Sequence, residues 1–127
     1  NRYEAEALCG LPITDLETMR QAAQALHALG PRYVVVKGGH VEGEPSVDIL
    51  YNGESFTDYS APRIPTQHTH GIGCTFASAI AAGLAKGQPV PDAVSAAKEY
   101  LTEALRHAIE IGAGHGPPHH FACWWED

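Results

Sequence analysis

Between a polar loop and an alanine-rich stretch the chain reads Thr69-His70-Gly71-Ile72-Gly73-Cys74-Thr75, an order of residue types that describes an anion pocket with a thiol at its mouth. Gly71 and Gly73 let the backbone turn with its amides aimed one way, and a helix starting near Gly73 adds unpaired N–H groups and the positive end of its dipole. A phosphate suits such a corner. No Lys-Ser or Lys-Thr pair closes it, so the Walker arrangement does not fit. Cys74, at the expected helix start, stands where a thiolate is favoured and can take a proton or attack carbon. Packing on a small-residue helix would place a cysteine there equally well. His70 shares one turn of chain with Cys74, whereas the base of a Cys/His hydrolase comes from a distant segment.

Three other stretches carry candidate chemistry. Asn1 and Glu4 are three apart at a helix start, where an amide and a carboxylate can hold a hydrated magnesium ion that meets phosphate oxygens; an N-cap with a first-turn glutamate has the same spacing. Lys37-Gly38-Gly39-His40 follows a buried strand at the carboxyl end, where open α/β sheets place ligands, and its glycines permit close approach to a nucleotide or a turn of positive φ. The tail Gly112-Ala113-Gly114-His115-Gly116-Pro117-Pro118-His119-His120 is histidine-rich, but its prolines separate the histidines and no cysteine pair completes a tetrahedral metal set.

The elements that must position these residues are short and alternate in type. A helix is predicted from Tyr3 to Cys9, stopped by Gly10 and followed by the connector Leu11-Pro12. Thr14 and Glu17 form a capping box for a second helix, whose stripe of Leu16, Met19, Ala23, Leu26 and Leu29 runs to Gly30. Tyr33-Val34-Val35-Val36, bounded by Pro31 and Gly38, reads as a strand covered on both faces and so as part of a parallel sheet flanked by helices. Val47 to Tyr51, Asn52-Gly53 and a run to Tyr59 describe a hairpin with a tight Asn-Gly turn. A further strand is expected near Arg63-Ile64. Thr75 to Lys86 is a helix ended by Gly87, and Pro91 opens another reaching about Ile111.

The 127 residues suit a single α/β domain, or half of a larger one, and a hydrophobic content of 44% is normal for a folded domain. A net charge of −7 argues against nucleic acid and anionic membranes as partners. No apolar run approaches the roughly 20 residues of a membrane span. Cys9, Cys74 and Cys123 are an odd, widely spaced set that suits reduced thiols in the cytoplasm. The chain opens at Asn1 without an initiator methionine and enters a helical pattern almost at once, as an interior point of a longer gene product would.

Taken in order, Asn1 to Leu8, Val36-Lys37-Gly38-Gly39-His40, Val47-Asp48-Ile49-Leu50, Thr69 to Thr75 and Gly114-His115-Gly116-Pro117 resemble the hydroxymethylpyrimidine/phosphomethylpyrimidine kinases of thiamine biosynthesis, members of the ribokinase-like superfamily. The resemblance covers almost the entire chain, as what looks like the C-terminal half of that family's usual length. It implies a ribokinase-like α/β fold with a central, mostly parallel sheet, and transfer of the ATP γ-phosphoryl group to a pyrimidine hydroxymethyl or its monophosphate. Residue by residue, it implies that Asn1 and Glu4 organise magnesium and phosphate and that Lys37, Gly38, Gly39, Thr69 and His70 meet the nucleotide. Gly71, Ile72 and Gly73 match the anion hole. Cys74 matches the general base, a place usually filled by aspartate in the wider superfamily.

Ile72 departs from the usual threonine, although the backbone N–H is retained. Pro118-His119-His120 departs from the usual ending, and Cys123-Trp124-Trp125 matches no family role, its aromatics being expected to pack or meet a neighbour. The family's N-terminal half supplies the pyrimidine pocket and the first strands, and its residues do not occur here. The expected partners are therefore a small pyrimidine, the missing N-terminal half or a complementing chain, and further copies in a homo-oligomer. Pyridoxal kinase activity, and a non-catalytic nucleotide-binding or partner module, are the alternative functions.

Overall fold

Helix α1 (Arg2–Cys9) starts at the cap Asn1, whose Oδ1 accepts the N–H of Glu4 at 3.1 Å, and stops as expected at Gly10, left-handed with φ 71°. The computed structural model describes residues 1–39, 41 and 45–124, and His40 and Trp125 of the motifs above lie outside them. Two compact units are present, Asn1–Arg63 and Ile64–Asp127.

In the first unit, Glu6 Oε1 accepts the N–H of Ile13 at 2.8 Å and the Nε of Arg2 at 3.1 Å, which turns the chain so that Ile13 is buried. Helix α2 (Leu16–His27) is capped by Asp15 rather than by the expected Thr14. The Asp15 carboxylate takes the Thr18 N–H at 2.8 Å, and Thr18 Oγ1 returns a bond to the Asp15 N–H at 3.0 Å. A charged acceptor holds a helix-terminal amide more strongly than a hydroxyl does. Met19, Ala22 and Ala23 form the buried face, while Leu29 lies beyond the helix and is 70% exposed.

Strands β1 (Val34–Val36), β2 (Ser46–Tyr51) and β3 (Phe56–Ala61) lie in that order with both pairings antiparallel, Val36 opposite Ile49 and Tyr51 opposite Phe56. The parallel partner expected for the valine run is absent among the described residues. Residues 37–45 join β1 to β2, and that is too short for a parallel crossover, which takes about a dozen residues or more. The hairpin turn is also longer than predicted. Asn52 Oδ1 accepts the N–H groups of Glu54 at 2.9 Å and Ser55 at 2.8 Å, so the asparagine builds its own side-chain turn across residues 52–55. Arg63 and Ile64 form no strand. Ala5, Ile13, Met19, Ala22, Ala23, Val34, Val36 and Ile49 make the core of this unit.

The second unit is helical. Helix α3 (Ile72–Ala85) begins three residues before the predicted Thr75, and α4 (Val90–Arg106) ends before the predicted Ile111. Ile111 is 66% exposed, so continuing the helix would bury nothing there. The two helices approach closely where Gly83 faces Ala93, since a Cβ on Gly83 would stand 3.0 Å from that of Ala93. The tail returns over α4, with His119 N–H donating to Ala104 O at 2.8 Å and the Tyr100 hydroxyl to His120 O at 2.9 Å. Its described part reaches a short 3-10 turn, Ala122–Trp124, where the rings of Trp124 and the preceding Phe121 have centroids 6.3 Å apart.

Candidate functional site

Gly71 caps α3 in the left-handed region, φ 80° and ψ 3°, and no side chain caps this end. The first helical bond runs from Thr75 N–H to Gly71 O at 2.9 Å, and the Ile72 N–H turns back toward Thr69 O at 3.5 Å. The N–H groups of Gly71, Gly73 and Cys74 have no partner among the described residues. Asn1 and Asp15 occupy the corresponding amides of α1 and α2, so the start of α3 differs from theirs in leaving its first donors without a side-chain partner. Gly73 and Cys74 are exposed in the same turn. Ile72, expected in the anion hole, is half-buried, and its N–H faces Thr69 O at 3.5 Å.

The loop before this turn is tied to the histidine-rich tail. His70 N–H donates to Gly116 O at 3.1 Å, Gly116 N–H donates to His68 Nδ1 at 3.1 Å, and His115 Nδ1 lies 2.7 Å from Gln67 O. Among the described residues no group of three or more His, Cys, Asp or Glu can hold a metal. A cleft of about 670 Å³ opens beside Gly71 and Cys74 and runs between α3 and α4 past Ser78, Lys86, Tyr100 and Trp124. Burial, followed by the nearby Cys123, raises the Tyr100 hydroxyl above its ordinary pKa and keeps it a neutral donor.

In the first unit the loop after β1 is held from two sides. Asp48, 2% exposed on β2, accepts the Gly38 N–H at 2.9 Å, and Arg63 donates to Gly39 O at 2.8 Å and Val41 O at 2.7 Å. Gly38 is required by close packing: a Cβ there would stand 1.9 Å from Val47 O, and its φ is not positive. Gly39 is exposed with open space around it, and Lys37 is half-buried beside it. Asp48 and Arg63 were not singled out as functional by the sequence reading. The available signals are that Asp48 stands as a lone carboxylate within an apolar strand and belongs to the motif Val47-Asp48-Ile49-Leu50.

Asn1 and Glu4 share one turn, where Asn1 Oδ1 takes the Glu4 N–H and Asn1 N donates to Glu4 Oε2 at 2.6 Å, a complete capping box. One exposed carboxylate with one amide oxygen fits a magnesium ion that keeps its waters and shares phosphate oxygens, and does not fit an all-protein cage. Thr69 to Cys74 likewise share one corner of the second unit, and Lys37 to Gly39 share the loop after β1.

A family model described as phosphomethylpyrimidine kinase matches residues 1–119. The chain belongs to that family. The thiamine biosynthesis bifunctional protein ThiED of Geobacter sulfurreducens is 53% identical over 120 residues, which are 94% of this chain and 24% of that protein. The hydroxymethylpyrimidine/phosphomethylpyrimidine kinase of Rhizobium meliloti is 46% identical over 130 residues, with 100% of this chain and 49% of that protein covered. Among solved structures, an ADP complex of Bacillus subtilis pyridoxal kinase superposes with a TM-score of 0.93 at 41% identity, covering 97% of this chain and 48% of that one. The chain thus spans about half or less of the relatives it matches. The ribokinase-like α/β fold is borne out, present here in part, although the three strands described pair antiparallel.

Proposed function

We propose that this chain is the nucleotide-handling, base-bearing part of an ATP-dependent kinase that phosphorylates 4-amino-5-hydroxymethyl-2-methylpyrimidine, its monophosphate or both, in thiamine diphosphate biosynthesis. The observation that carries this reading is the uncapped start of α3, where three unpartnered N–H groups and an exposed thiol share one turn. The family match and the names of the relatives support the substrate class, and the ADP complex of the pyridoxal kinase supports the nucleotide.

In the reaction the substrate hydroxyl oxygen bonds to the terminal phosphorus of ATP. Its proton passes to Cys74 Sγ, and the bond from that phosphorus to the β-phosphate bridging oxygen breaks to release ADP. The N–H groups of Gly71, Gly73 and Cys74 receive the charge that collects on the transferring oxygens. Cys74 acts as a base and forms no bond to phosphorus. Lys37 and Gly39 of the first unit, and Thr69 and His70 of the second, are the residues assigned to the nucleotide, Lys37 with its positive charge. Gly38 acts indirectly by seating the loop after β1 on β2. Asn1 and Glu4 would hold magnesium, which when bound offsets phosphate charge.

The pyrimidine pocket is supplied by the remaining half, joined to this chain or carried by a complementing one, and the assembly is a homo-oligomer. Free Cys9, Cys74 and Cys123 support a reducing, cytoplasmic setting, and no described helix is long and apolar enough to cross a membrane. A second reading, pyridoxal kinase activity, is favoured by the likeness to the B. subtilis enzyme. In the complete gene product, Cys74→Ala should lower turnover by about 10²–10⁴-fold and leave nucleotide affinity unchanged, because a base acts only in the transition state. Unchanged turnover refutes the role of Cys74. Turnover on pyridoxal alone selects the second reading, and nucleotide binding without any turnover in the unaltered protein identifies a non-catalytic module.

A further inference from the structure

We propose that His68 is a positioning residue which, by clasping Gly116, fixes the loop that aims the N–H groups of Gly71, Gly73 and Cys74. His68 is 4% exposed in a loop that belongs to no helix or strand. Its Nδ1 accepts the Gly116 N–H at 3.1 Å, which requires that nitrogen to be unprotonated and puts the ring proton on Nε2. Gly116 then accepts from His70, the residue immediately before Gly71, through its own carbonyl at 3.1 Å. A third bond, between His115 Nδ1 and Gln67 O at 2.7 Å, closes the same clasp. Within the loop, His68 N–H is turned onto Thr66 Oγ1 at 3.1 Å and Thr69 N–H onto Gln67 O at 2.9 Å, so the ring is held from its own side as well.

The clasp joins residues 48 apart and leaves no room for a substitute at Gly116, where a Cβ would stand 2.6 Å from His68 Nδ1. Its mechanical consequence falls on Gly71. That glycine's left-handed φ of 80° directs the free N–H groups, and the bond from His70 to Gly116 is the last tether before it. Donors that stabilise a transferring group must be set before the reaction, and a displacement of about 1 Å costs on the order of a hundredfold in rate. The histidine-rich tail therefore serves as a brace for the anion site. This inference rests on the reading of α3 given under Proposed function.

The test compares His68→Leu, which removes the acceptor, with His68→Asn, whose Oδ1 can take the place of Nδ1 and accept from Gly116. Gly116→Ala provides a third variant that displaces the ring while leaving His68 in place. In the complete gene product, the Gly116 and His70 amides should exchange at least about tenfold faster in His68→Leu and Gly116→Ala than in the unaltered protein. The Gly73 and Cys74 amide resonances should move with them, and His68→Asn should restore both. In the complete gene product, kcat should fall about 10–100-fold in the first two variants, with nucleotide KM little changed, and recover in His68→Asn. Unmoved Gly73 and Cys74 resonances, unprotected Gly116 and His70 amides in the unaltered protein, or equal losses in His68→Asn and His68→Leu would each overturn the clasp. Absence of turnover in the unaltered protein would instead overturn the kinase reading, while the exchange and resonance measurements still decide the clasp.

Discussion

Replacing Gly38 by alanine separates two explanations of the same glycine. If Gly38 exists to admit a nucleotide, Gly38→Ala lowers nucleotide affinity and leaves the fold intact. The packing requires the opposite. The added Cβ would stand 1.9 Å from Val47 O and 3.0 Å from Val47 C, with Met19 Cε 3.4 Å away on another side. A carbon–oxygen contact takes about 3.3 Å, so the loop and β2 must part by about 1.4 Å. That movement strains the buried bond from Gly38 N–H to Asp48 Oδ1, now 2.9 Å. A hydrogen bond to a charged group contributes about 1.5–3 kcal/mol, and overpacking a filled site costs about 1–3 kcal/mol. The combined loss, about 2.5–6 kcal/mol, runs from the upper end of ordinary single substitutions into their severe tail. Urea unfolding without nucleotide, followed by far-UV circular dichroism and by amide exchange of Ile49, measures it directly. Gly39→Ala is the control, because a Cβ at Gly39 meets nothing within 4 Å and its φ is ordinary. A loss below about 0.5 kcal/mol in Gly38→Ala, the range of neutral surface changes, refutes the packing argument.

Gly71→Ala meets no neighbour within 4 Å but must hold φ at 80°, so it should lose about 1–2 kcal/mol through backbone strain alone, read by the same urea titration. A variant as stable as the unaltered chain would contradict the left-handed cap. Acidification should destabilise the first unit through two carboxyls. The Ile13 N–H, and after it Arg2, holds Glu6 below the usual carboxylate range, and the Thr18 N–H does the same for Asp15. A folded pKa below the unfolded one contributes stability above the ordinary carboxylate range that is lost as the pH falls to the lowered value. The double variant Glu6→Gln, Asp15→Asn should therefore show a flatter fall in melting temperature across that window, and an unchanged slope would dismiss both groups as its source.

Much of the candidate site was legible because its determinants are neighbours in the chain. Gly10 ends a helix, and Gly71 with Gly73 precedes one, through conformational preferences that need no distant partner. The capping residue of α2 was misread by one position because Thr14 and Asp15 are both good caps, and only the geometry of Thr18 chooses between them. The direction of β1 was misread because a run of valines reports burial and carries no record of which strand lies beside it. The resemblance singles out Cys74, Lys37 and Glu4 by motif, whereas Arg63 and His68 hold backbone from outside any motif, and Asp48 does so from a motif that says nothing of its partner.

The amino-acid order alone determined that a glycine turn with free amides and an exposed thiol would form at Gly71–Cys74, because glycine freedom and a helix start without a side-chain cap are local properties. Only the tertiary structure decided that β1 pairs antiparallel with β2, that Gly38 is a packing glycine, and that the tail grips the loop ahead of Gly71. These depend on contacts between residues apart in the chain, Gly38 with Asp48 and His68 with Gly116, which are brought together by the fold rather than by any residue's own preference.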